Sequence, residues 1–501
     1  ILFELKSKEY RQYFMDYSML NGVQITPKDA IAMGREAAAW AVGLGAPMEN
    51  IALDSENITD IYIDSENSPL YLEHHDFGIC HTLFRYNKEL LENAFKHIVL
   101  SEKGVRKFDD NSPIVDVVLK RLSMRCHLQR PPATFDELQG AFRIMRESPM
   151  TYPYYLGFQS FSPFFAGYDD ALVTLGCSEA VLGVKGSGKT SFTAAKIISI
   201  GTKKRIIPVQ DIEEIPVRAF RKRGFHIGAA RVQSEQPEGG GQSKELDLVT
   251  MANALLRMGD AAIIINEVRS RTAVQGIINL LNTQPGVFLL YNLHAESLKD
   301  IQDRLELVFG MPSASMLATD RYNFISKIRF GRKGKVYRVL GHSYETDQNE
   351  KSFVSVFEME RGNCIDACNL KPKFIKNPEA WSRDLGKMDM GKMEKNLDLE
   401  FIPPALKRRA ANTGIAPEQY ILQAFFKGKV YDRIYQASQE FNDKHLLEID
   451  FVYKMNNHAN KLLQGLENEN GEIEYKVADA QWAKDFPMLL KAEEELMKKS
   501  K

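Results

Sequence analysis

The chain has 501 residues, a length that predicts two to four domains. Its 65 Lys and Arg residues balance 66 Asp and Glu residues, and the formal net charge of -1 argues against a protein that coats nucleic acid or another polyanion. The hydrophobic fraction of 44% is ordinary for a folded soluble protein, and no apolar run approaches the ~20 residues that cross a bilayer.

Residues 1–50 are predicted to be helical. In the segment ITPKDAIAMGREAAAWAVGLGAP, Thr26 is placed to cap a helix, and Pro27 occupies the first helical position, where no backbone donor is needed. The end of this segment contains Gly and Pro, which is typical of a helix stop. The start of the chain, ILFELKSKEY, lacks the apolar stretch of a secretory signal.

Residues 51–147 are predicted to form a mixed α+β domain. Short segments rich in β-branched and aromatic residues alternate with turn signals, which predicts a β-meander. Its predicted strands are Ile61–Ile63, Leu70–His74 and Ile79–Phe84. Residues 148–169, which are rich in Pro, Gly, Ser and aromatic side chains, are predicted to be a linker.

Strand and helix patterns alternate through residues 170–343. Apolar runs bounded by helical segments predict an α/β domain whose parallel sheet is covered on both faces. Within it, the segment QSEQPEGGGQSKE is predicted to be a flexible loop. Residues 344–501 are highly charged and are predicted to form a helical C-terminal region.

The segment GVKGSGKT, Gly183 to Thr190, fits the phosphate-loop pattern GxxxxGK[ST] between a predicted strand and a predicted helix. Glycines let backbone N–H groups approach a phosphate, and the N-terminus of the following helix adds partial positive charge. Lys189 is predicted to reach the β- and γ-phosphates, and the Thr190 hydroxyl to bind Mg²⁺. The residues predicted to hold the nucleotide are Gly183, Gly186, Ser187, Gly188, Lys189, Thr190 and Ser191. The alternative is a glycine-rich turn that binds no ligand.

Polar side chains follow three other predicted strands of this domain. Glu267 ends the strand AAIIINE, and the carboxyl ends of parallel strands face the ligand, so we predict that Glu267 holds the Mg²⁺ water shell or polarises the attacking water. Asp211, Glu213 and Glu214 follow the strand RIIPVQ and are candidates for a general base. His294 follows the strand VFLLYN and is predicted to sense the γ-phosphate by a hydrogen bond. The alternatives are solvent-exposed carboxylates without a role and a structural histidine.

The cysteines are few and scattered, and their number is odd, which predicts a reduced, cytosolic protein. They are Cys80, Cys126, Cys177, Cys364 and Cys368. The last two have the i, i+4 spacing of a helix and are predicted to be buried thiols, because a metal site needs more ligands nearby.

Four segments, taken together, carry a family resemblance. In chain order, GVKGSGKT, VQDIEEI, NEVRS and LHAES resemble the Walker A loop, Asp box, Walker B segment and His box of the secretion ATPases of the type II/type IV pilus superfamily. The similarity is strongest to the archaeal branch, which drives archaella and type IV pilus-like filaments. Flanking segments such as MPSASMLATDRYNFISKI and ITDIYIDSENSPLYLEHHDFG extend the resemblance over about residues 50–343.

The resemblance implies a RecA-like P-loop NTPase domain, preceded by a mixed α+β N-terminal domain and followed by helices. It also implies a homo-hexameric ring that hydrolyses ATP with Mg²⁺, each nucleotide lying between the two domains. Thr190 and Glu267 match the family's metal positions, and Arg121 and Arg125 are candidates for arginines that reach the nucleotide from the N-terminal domain. The residues that the resemblance assigns to catalysis are Glu267, Glu214, His294, Arg257, Arg125 and Arg121. For the arginines, the alternative is an ordinary surface charge.

Several positions depart from the family pattern. In the Asp box, Gln210 replaces an acid and Ile212 replaces a Thr. Asn266 replaces the Gly before the Walker B Glu, and Asn292 replaces a Thr before the His box. Gly259 and Asp260 stand where an LRxRP segment has its second Arg and its Pro. These departures leave open an alternative function: a ring subunit that binds nucleotide, hydrolyses it weakly or not at all, and has a structural or regulatory role. A conjugation-type export ATPase is a further alternative within the superfamily.

The resemblance implies a place and partners for the protein. It predicts a cytoplasmic motor at the inner face of the cell membrane, which acts on a polytopic membrane platform protein and a pilin-like filament system. Assembly, retraction and secretion are alternatives that the sequence does not separate. No direct contact with nucleic acid is expected.

Overall fold

The computed structural model describes residues 2–500 apart from 102–106, 136, 147, 212, 233–247, 256, 258, 269–270, 284–285, 311, 330–334, 361–365, 367–368, 379–380, 382–384, 386–387 and 396. The predicted loop QSEQPEGGGQSKE, Cys364, Cys368 and Ile212 lie outside the described residues. The chain divides into two compact units, Ile1–Glu147 and Ser148–Lys501, and each contains one sheet.

The first unit begins with helices, as the sequence predicts. They are α1 (Leu2–Asn21), α2 (Pro27–Val42) and α3 (Ala46–Ala52), and α4 (Lys88–Ser101) follows later in the chain. The predicted start of α2 is confirmed, because Pro27 is its first residue and Thr26 Oγ1 accepts a hydrogen bond from the Asp29 N–H at 3.1 Å.

The sheet of the first unit is antiparallel, with the order β3-β2-β1-β6-β5-β4. Its strands are β1 (Ile58–Ile63), β2 (Pro69–His74), β3 (Gly78–Arg85), β4 (Ile114–Leu119), β5 (Met124–Gln129) and β6 (Gln139–Ile144). The predicted meander is confirmed as β1–β3. Apolar residues of the strands, such as Ile61 and Leu70, share a buried core with Leu91 and Phe95 of α4.

The second unit is built on a nine-stranded sheet with the order β15-β14-β13-β12-β7-β11-β10-β8-β9. Its strands are β7 (Glu179–Gly183), β8 (Arg205–Gln210), β9 (Ala230–Arg231), β10 (Ala261–Val268), β11 (Leu289–Leu293), β12 (Arg321–Arg329), β13 (Val336–Asp347), β14 (Ser352–Met359) and β15 (Leu370–Pro372). The strands from β12 to β9 in this order pair in parallel, so the predicted parallel sheet is present. The strands β13–β15 extend it by antiparallel pairing.

Helices pack on both faces of this sheet. The helices of the second unit are α5 (Tyr152–Gly157), α6 (Pro163–Thr174), α7 (Lys189–Ala195), α8 (Ile197–Ile200), α9 (Val217–Lys222), α10 (Leu248–Leu255), α11 (Arg271–Thr283), α12 (Leu298–Asp303), α13 (Met390–Lys395), α14 (Pro404–Ala410), α15 (Pro417–Glu440), α16 (Ile449–Leu466) and α17 (Tyr475–Ser500). Alternate residues of β10 enter different cores, because successive side chains of a strand point to opposite faces. Ile264 packs with Ile197 of α8, whereas Ile263 packs with Ile277 of α11.

The register of the parallel strands brings their carboxyl ends to one edge. Leu182 of β7 pairs with Leu293 of β11, and Ile265 of β10 pairs with both Tyr291 of β11 and Val209 of β8. The residues that follow these strands therefore gather at the same edge, which is where an open α/β sheet binds its ligand.

Two segments differ from their predicted structure. Residues 148–169, predicted as a linker, contain α5 and the first half of α6, and their aromatic side chains, among them Tyr152, Phe164 and Phe165, are buried in the core of the second unit. Aromatic residues bury large apolar areas, and here this outweighs the turn-forming composition. The region 344–501, predicted to be helical, begins with strands, because its β-branched and aromatic residues near 352–357 continue the sheet as β14.

Ion pairs at two buried carboxyl groups hold helices of the second unit against the sheet. Lys196, after α7, contacts Asp169 of α6, and Arg321 of β12 lies 2.9 Å from the same carboxyl group. Burial opposes the ionisation of Asp169, but the two cations outweigh it and hold its pKa below the ordinary value. Arg408 and Arg409 of α14 contact Asp320, next to β12, in a similar way.

Within the described residues, no helix combines the length and apolarity needed to cross a membrane.

Candidate active site

The loop between β7 and α7 has a backbone that requires glycine. Gly183, Gly186 and Gly188 have φ values of 153°, 71° and 93°. A Cβ atom on Gly183 would lie 2.4 Å from the Ile325 carbonyl oxygen, and one on Gly186 would lie 2.9 Å from Lys327 Nζ. The loop therefore packs closely against β12 in a conformation that other residues rarely adopt. These features are the ones that a phosphate-binding loop needs.

Lys189 folds back over this loop. Its Nζ donates to the carbonyl oxygens of Gly183 and Val184 at 2.9 and 3.1 Å, and it lies 3.3 Å from His294 Nδ1. The residue is 7% exposed, so its ammonium group is held at the loop by these acceptors. These three contacts use the three N–H donors of the ammonium group, so a phosphate bound in the loop would take over one or more of them.

His294 connects Lys189 to Glu267. An ammonium group has no acceptor, so Nδ1 of His294 must accept from Lys189, and the ring proton is then on Nε2. Nε2 donates to Glu267 Oε1 at 2.7 Å. The Lys189–His294–Glu267 chain thus joins the loop, the residue after β11 and the end of β10.

A second chain of hydrogen bonds joins the loop to β8 and β10. Thr190 Oγ1 donates to Glu214 Oε2 at 2.9 Å, and Asn266 Nδ2 donates to the same oxygen at 3.0 Å. The turn that carries Glu214 is fixed by Gln210, whose Oε1 accepts the N–H groups of Glu214 and Ile215 at 3.0 and 2.8 Å. The structure therefore places Glu214 beside Thr190, and Glu267 beside His294.

The floor of the site contains buried polar groups. Thr193 Oγ1 contacts Asn292 Oδ1 at 2.7 Å and the Lys189 carbonyl oxygen at 3.1 Å, which fixes the first turn of α7 to β11. Ser187 is 1% exposed, and its hydroxyl has no hydrogen-bond partner among the described residues. A buried hydroxyl without a partner is costly, so the Ser187 side chain is suited to a ligand group bound at the loop.

Two basic residues outside the predicted set lie against the loop. Arg338 of β13 donates from Nε to the Gly186 carbonyl oxygen at 2.9 Å, and the Lys327 side chain of β12 approaches Gly186 from another side. Both belong to the basic segment SKIRFGRKGKVYR, and that clustering of charge is the signal that points to them. Sequence alone could not place them at the loop, because their position depends on the strand order β13-β12-β7 in the sheet.

Other predicted residues lie apart from these contacts. Ser191 is exposed on α7, Glu213 is exposed, and Asp211 is half-buried next to β8. Arg257 is exposed on the turn after α10. The structure records no contact of Arg257 with the loop in the described residues, and its catalytic role stays a prediction.

Arg121 and Arg125 belong to the first unit and have partners there. Arg121 makes a two-bond ion pair with Glu49 at 2.6 Å and lies over the Phe3 ring. Arg125 lies 3.7 Å from Asp116. These contacts explain both arginines locally, and their predicted reach to a nucleotide stays a prediction.

The oxygen atoms of the site fit Mg²⁺, which prefers hard oxygen ligands. The Thr190 hydroxyl and the Glu214 and Glu267 carboxylates are of this kind. Among the described residues there is no group of three or more His, Cys, Asp or Glu side chains that could hold a metal. Mg²⁺ is commonly bound through one or two protein oxygens together with substrate phosphates and water, so such a group is not required.

Comparisons with known proteins give structural neighbours. No protein-family model matches the chain, and no curated protein sequence matches it. The VirB11 ATPase of the Brucella suis type IV secretion system, solved in complex with sulphate, is 18% identical, with a TM-score of 0.30 over 60% of this chain and 96% of its own. The Legionella pneumophila ATPase DotB is 14% identical, with a TM-score of 0.38 over 61% of this chain and 81% of its own. These similarities concern the fold alone, and the chemistry of the protein follows from the residues of the site.

Proposed function

We propose that this chain is a Mg²⁺-dependent ATPase of the secretion type. One observation carries the proposal: two hydrogen-bonded chains meet at the glycine loop, Lys189–His294–Glu267 and Thr190–Glu214–Asn266. They bring a cation, a hydroxyl group, two carboxylates and an imidazole to the carboxyl edge of one parallel sheet.

These groups have complementary roles in phosphoanhydride hydrolysis. The loop amides and Lys189 bind the β- and γ-phosphates and stabilise the charge that develops on them. Glu214 accepts the proton of the attacking water or orients that water. Glu267 holds His294 in the tautomer that accepts from Lys189. The Thr190 hydroxyl would hold Mg²⁺, which would supply further positive charge to the phosphate oxygens when bound.

The order of the four motifs supports the wider assignment. It favours a homo-hexameric motor at the inner face of a membrane, which acts through a membrane platform protein on a pilus-like or archaellum-like filament or on secretion. In that assembly Arg257, Arg121 and Arg125 contribute to nucleotide sites. This assignment rests on the resemblance of the motifs, and the chemistry of the site does not depend on it.

Phosphate release from Mg²⁺-ATP tests the catalytic proposal. The parent protein should release phosphate, and Lys189→Ala should abolish release and weaken ATP binding, because the loop loses its cation. Lys299→Ala, at an exposed position on α12, is the control and should retain full activity. A parent protein that neither binds nor hydrolyses ATP would contradict the proposal.

The assembly is tested separately. Light scattering, with and without a non-hydrolysable ATP analogue, measures the mass of the assembly. We expect a mass equal to six copies of the chain. A monomer under both conditions would remove the ring while leaving the ATPase proposal intact.

A further inference from the structure

The Glu214 carboxylate is held by a buried amide from a different strand. Asn266 of β10 donates from Nδ2 to Glu214 Oε2 at 3.0 Å. Asn266 is 1% exposed, so the donor belongs to the protein interior. The two residues are 52 positions apart in the sequence. The carboxylate is thus tied to the end of the strand that also carries Glu267.

The main chain of Glu214 is fixed by a second amide. Gln210 is 5% exposed, and its Oε1 accepts the N–H groups of Glu214 and Ile215. With the backbone held by Gln210 and the carboxylate held by Asn266, Glu214 has little freedom to turn away from the Thr190 hydroxyl at 2.9 Å. Groups that orient a functional side chain in this manner matter because misplacement of reacting atoms is costly.

The end of β10 contributes to both hydrogen-bonded chains of the site through two adjacent residues. Successive residues of a strand point to opposite faces, and here Asn266 contacts Glu214 while Glu267 contacts His294. A neutral amide at position 266 orients the Glu214 carboxylate and leaves its negative charge unbalanced. An arginine or lysine at this position would neutralise that charge.

The other atom of the same amide supports this interpretation. Asn266 Oδ1 is buried and has no hydrogen-bond partner among the described residues. An unpaired buried acceptor lowers stability, and an apolar side chain would avoid that cost. The gain that offsets it is the hydrogen bond to Glu214.

We infer that Asn266 is a positioning residue that holds the Glu214 carboxylate at Thr190 for water activation. The inference rests on the proposed ATPase function, because Glu214 activates water only if ATP is hydrolysed. Asn266 acts through Glu214 and takes no part in binding the phosphates. Its loss therefore affects kcat and spares KM.

A double-mutant cycle with steady-state kinetics tests this role. Asn266→Ala should lower kcat by about 10- to 100-fold, the loss typical of outer-shell groups that orient metal ligands, with KM within about twofold. In the Glu214→Ala background, where turnover is measured at high enzyme concentration, adding Asn266→Ala should change the residual kcat by less than about twofold, because the group it positions is absent. An equal loss of kcat in both backgrounds, or a raised KM with unchanged kcat, overturns the inference.

A second readout uses the ligand-free protein. The losses in melting temperature caused by Asn266→Ala and Glu214→Ala should not add in the double variant, since both remove the same hydrogen bond. Strictly additive losses overturn the contact. Asn456→Ala is the control: this buried amide of α16 contacts Lys427, and its loss should lower the melting temperature but leave kcat per folded protein unchanged.

The outcomes separate the two proposals. A parent protein that neither binds nor hydrolyses ATP overturns the ATPase function and the role of Asn266 together. A parent protein that hydrolyses ATP, with an Asn266→Ala variant that keeps its full kcat, overturns the role of Asn266 and leaves the ATPase function standing.

Discussion

The ammonium group of Lys189 lies 3.3 Å from His294 Nδ1, across 105 residues of sequence. The same ammonium group donates to two carbonyl oxygens of its own loop. A phosphate that binds in the loop competes for these donors, so nucleotide binding is expected to alter the contact with His294. Because His294 also holds Glu267, occupancy of the loop is then transmitted to the end of β10.

His294 should therefore matter for turnover more than for binding. His294→Ala breaks both contacts of the ring, and we expect kcat to fall by about 10- to 100-fold while ATP still binds through the loop. His294→Gln should recover part of the loss, because an amide can accept from Lys189 and donate to Glu267. Phosphate release and equilibrium ATP binding measure the two effects.

His226→Ala is the matched control, since His226 is exposed in the same unit. A His294→Ala variant that retains the parent kcat would contradict the coupling of Lys189 to Glu267.

The backbone of Gly183 should not tolerate a side chain. In Gly183→Ala, the new Cβ would meet the Ile325 carbonyl oxygen at 2.4 Å, in addition to the strain of a φ of 153°. We expect loss of ATP binding and a lower melting temperature. Gly201→Ala separates the two effects, because Gly201 has a φ of 78° with no atom within 4 Å of the new Cβ. It should cost about 1 to 2 kcal/mol of unfolding free energy and leave ATP binding unchanged.

Arg338 should support the conformation of the loop. Its Nε donates to the Gly186 carbonyl oxygen at 2.9 Å, and a hydrogen bond to a charged group contributes about 1.5 to 3 kcal/mol when it is sheltered. Arg338 is half-buried, so we expect Arg338→Ala to weaken ATP binding by about tenfold, the equivalent of 1.4 kcal/mol. Arg329→Ala, at an exposed position on β12, is the control in an equilibrium titration with ATP. Equal affinities of the two variants would exclude a role for Arg338 at the loop.

Asp320 should make stability depend on pH. Burial opposes its ionisation, but Arg409 and Arg408 outweigh burial, and the pKa of Asp320 lies below its ordinary value. A carboxyl group whose folded pKa is depressed stabilises the fold above its unfolded pKa of about 3.9, and that stability is lost as pH falls through the folded pKa. Asp320→Asn should thus lower the free energy of unfolding by about 3 kcal/mol at pH 7, and the difference from the parent should shrink below about pH 4.

Urea unfolding at a series of pH values checks this result. Asp260→Asn is the control, because Asp260 pairs with Lys204 on the surface with its side chain 85% exposed. That change should cost less than about 1 kcal/mol at every pH. A difference for Asp320→Asn that stays constant from pH 7 to pH 3 would contradict the ionic origin of its contribution.

Local patterns predicted much of the fold and the site. The alternation of apolar runs with helical segments predicted the parallel sheet, and the glycine loop with Lys189 and Thr190 lies between β7 and α7 as expected. Thr26 and Pro27 mark the start of α2 because capping depends on neighbouring residues alone. The aromatic segment at 148–169 was predicted wrongly as a linker, since its burial depends on distant partners such as Tyr431 of α15.

The sequence by itself determined which chemical groups this protein brings to its glycine loop: a cation, a hydroxyl group, carboxylates and an imidazole at the ends of strands. The tertiary structure decided how they pair. Strand β11 lies between β7 and β10, so His294 bridges Lys189 and Glu267, while Glu214, at the end of β8, meets Thr190 and Asn266. Strand order and register arise from packing between segments far apart in the chain, and no local pattern encodes them.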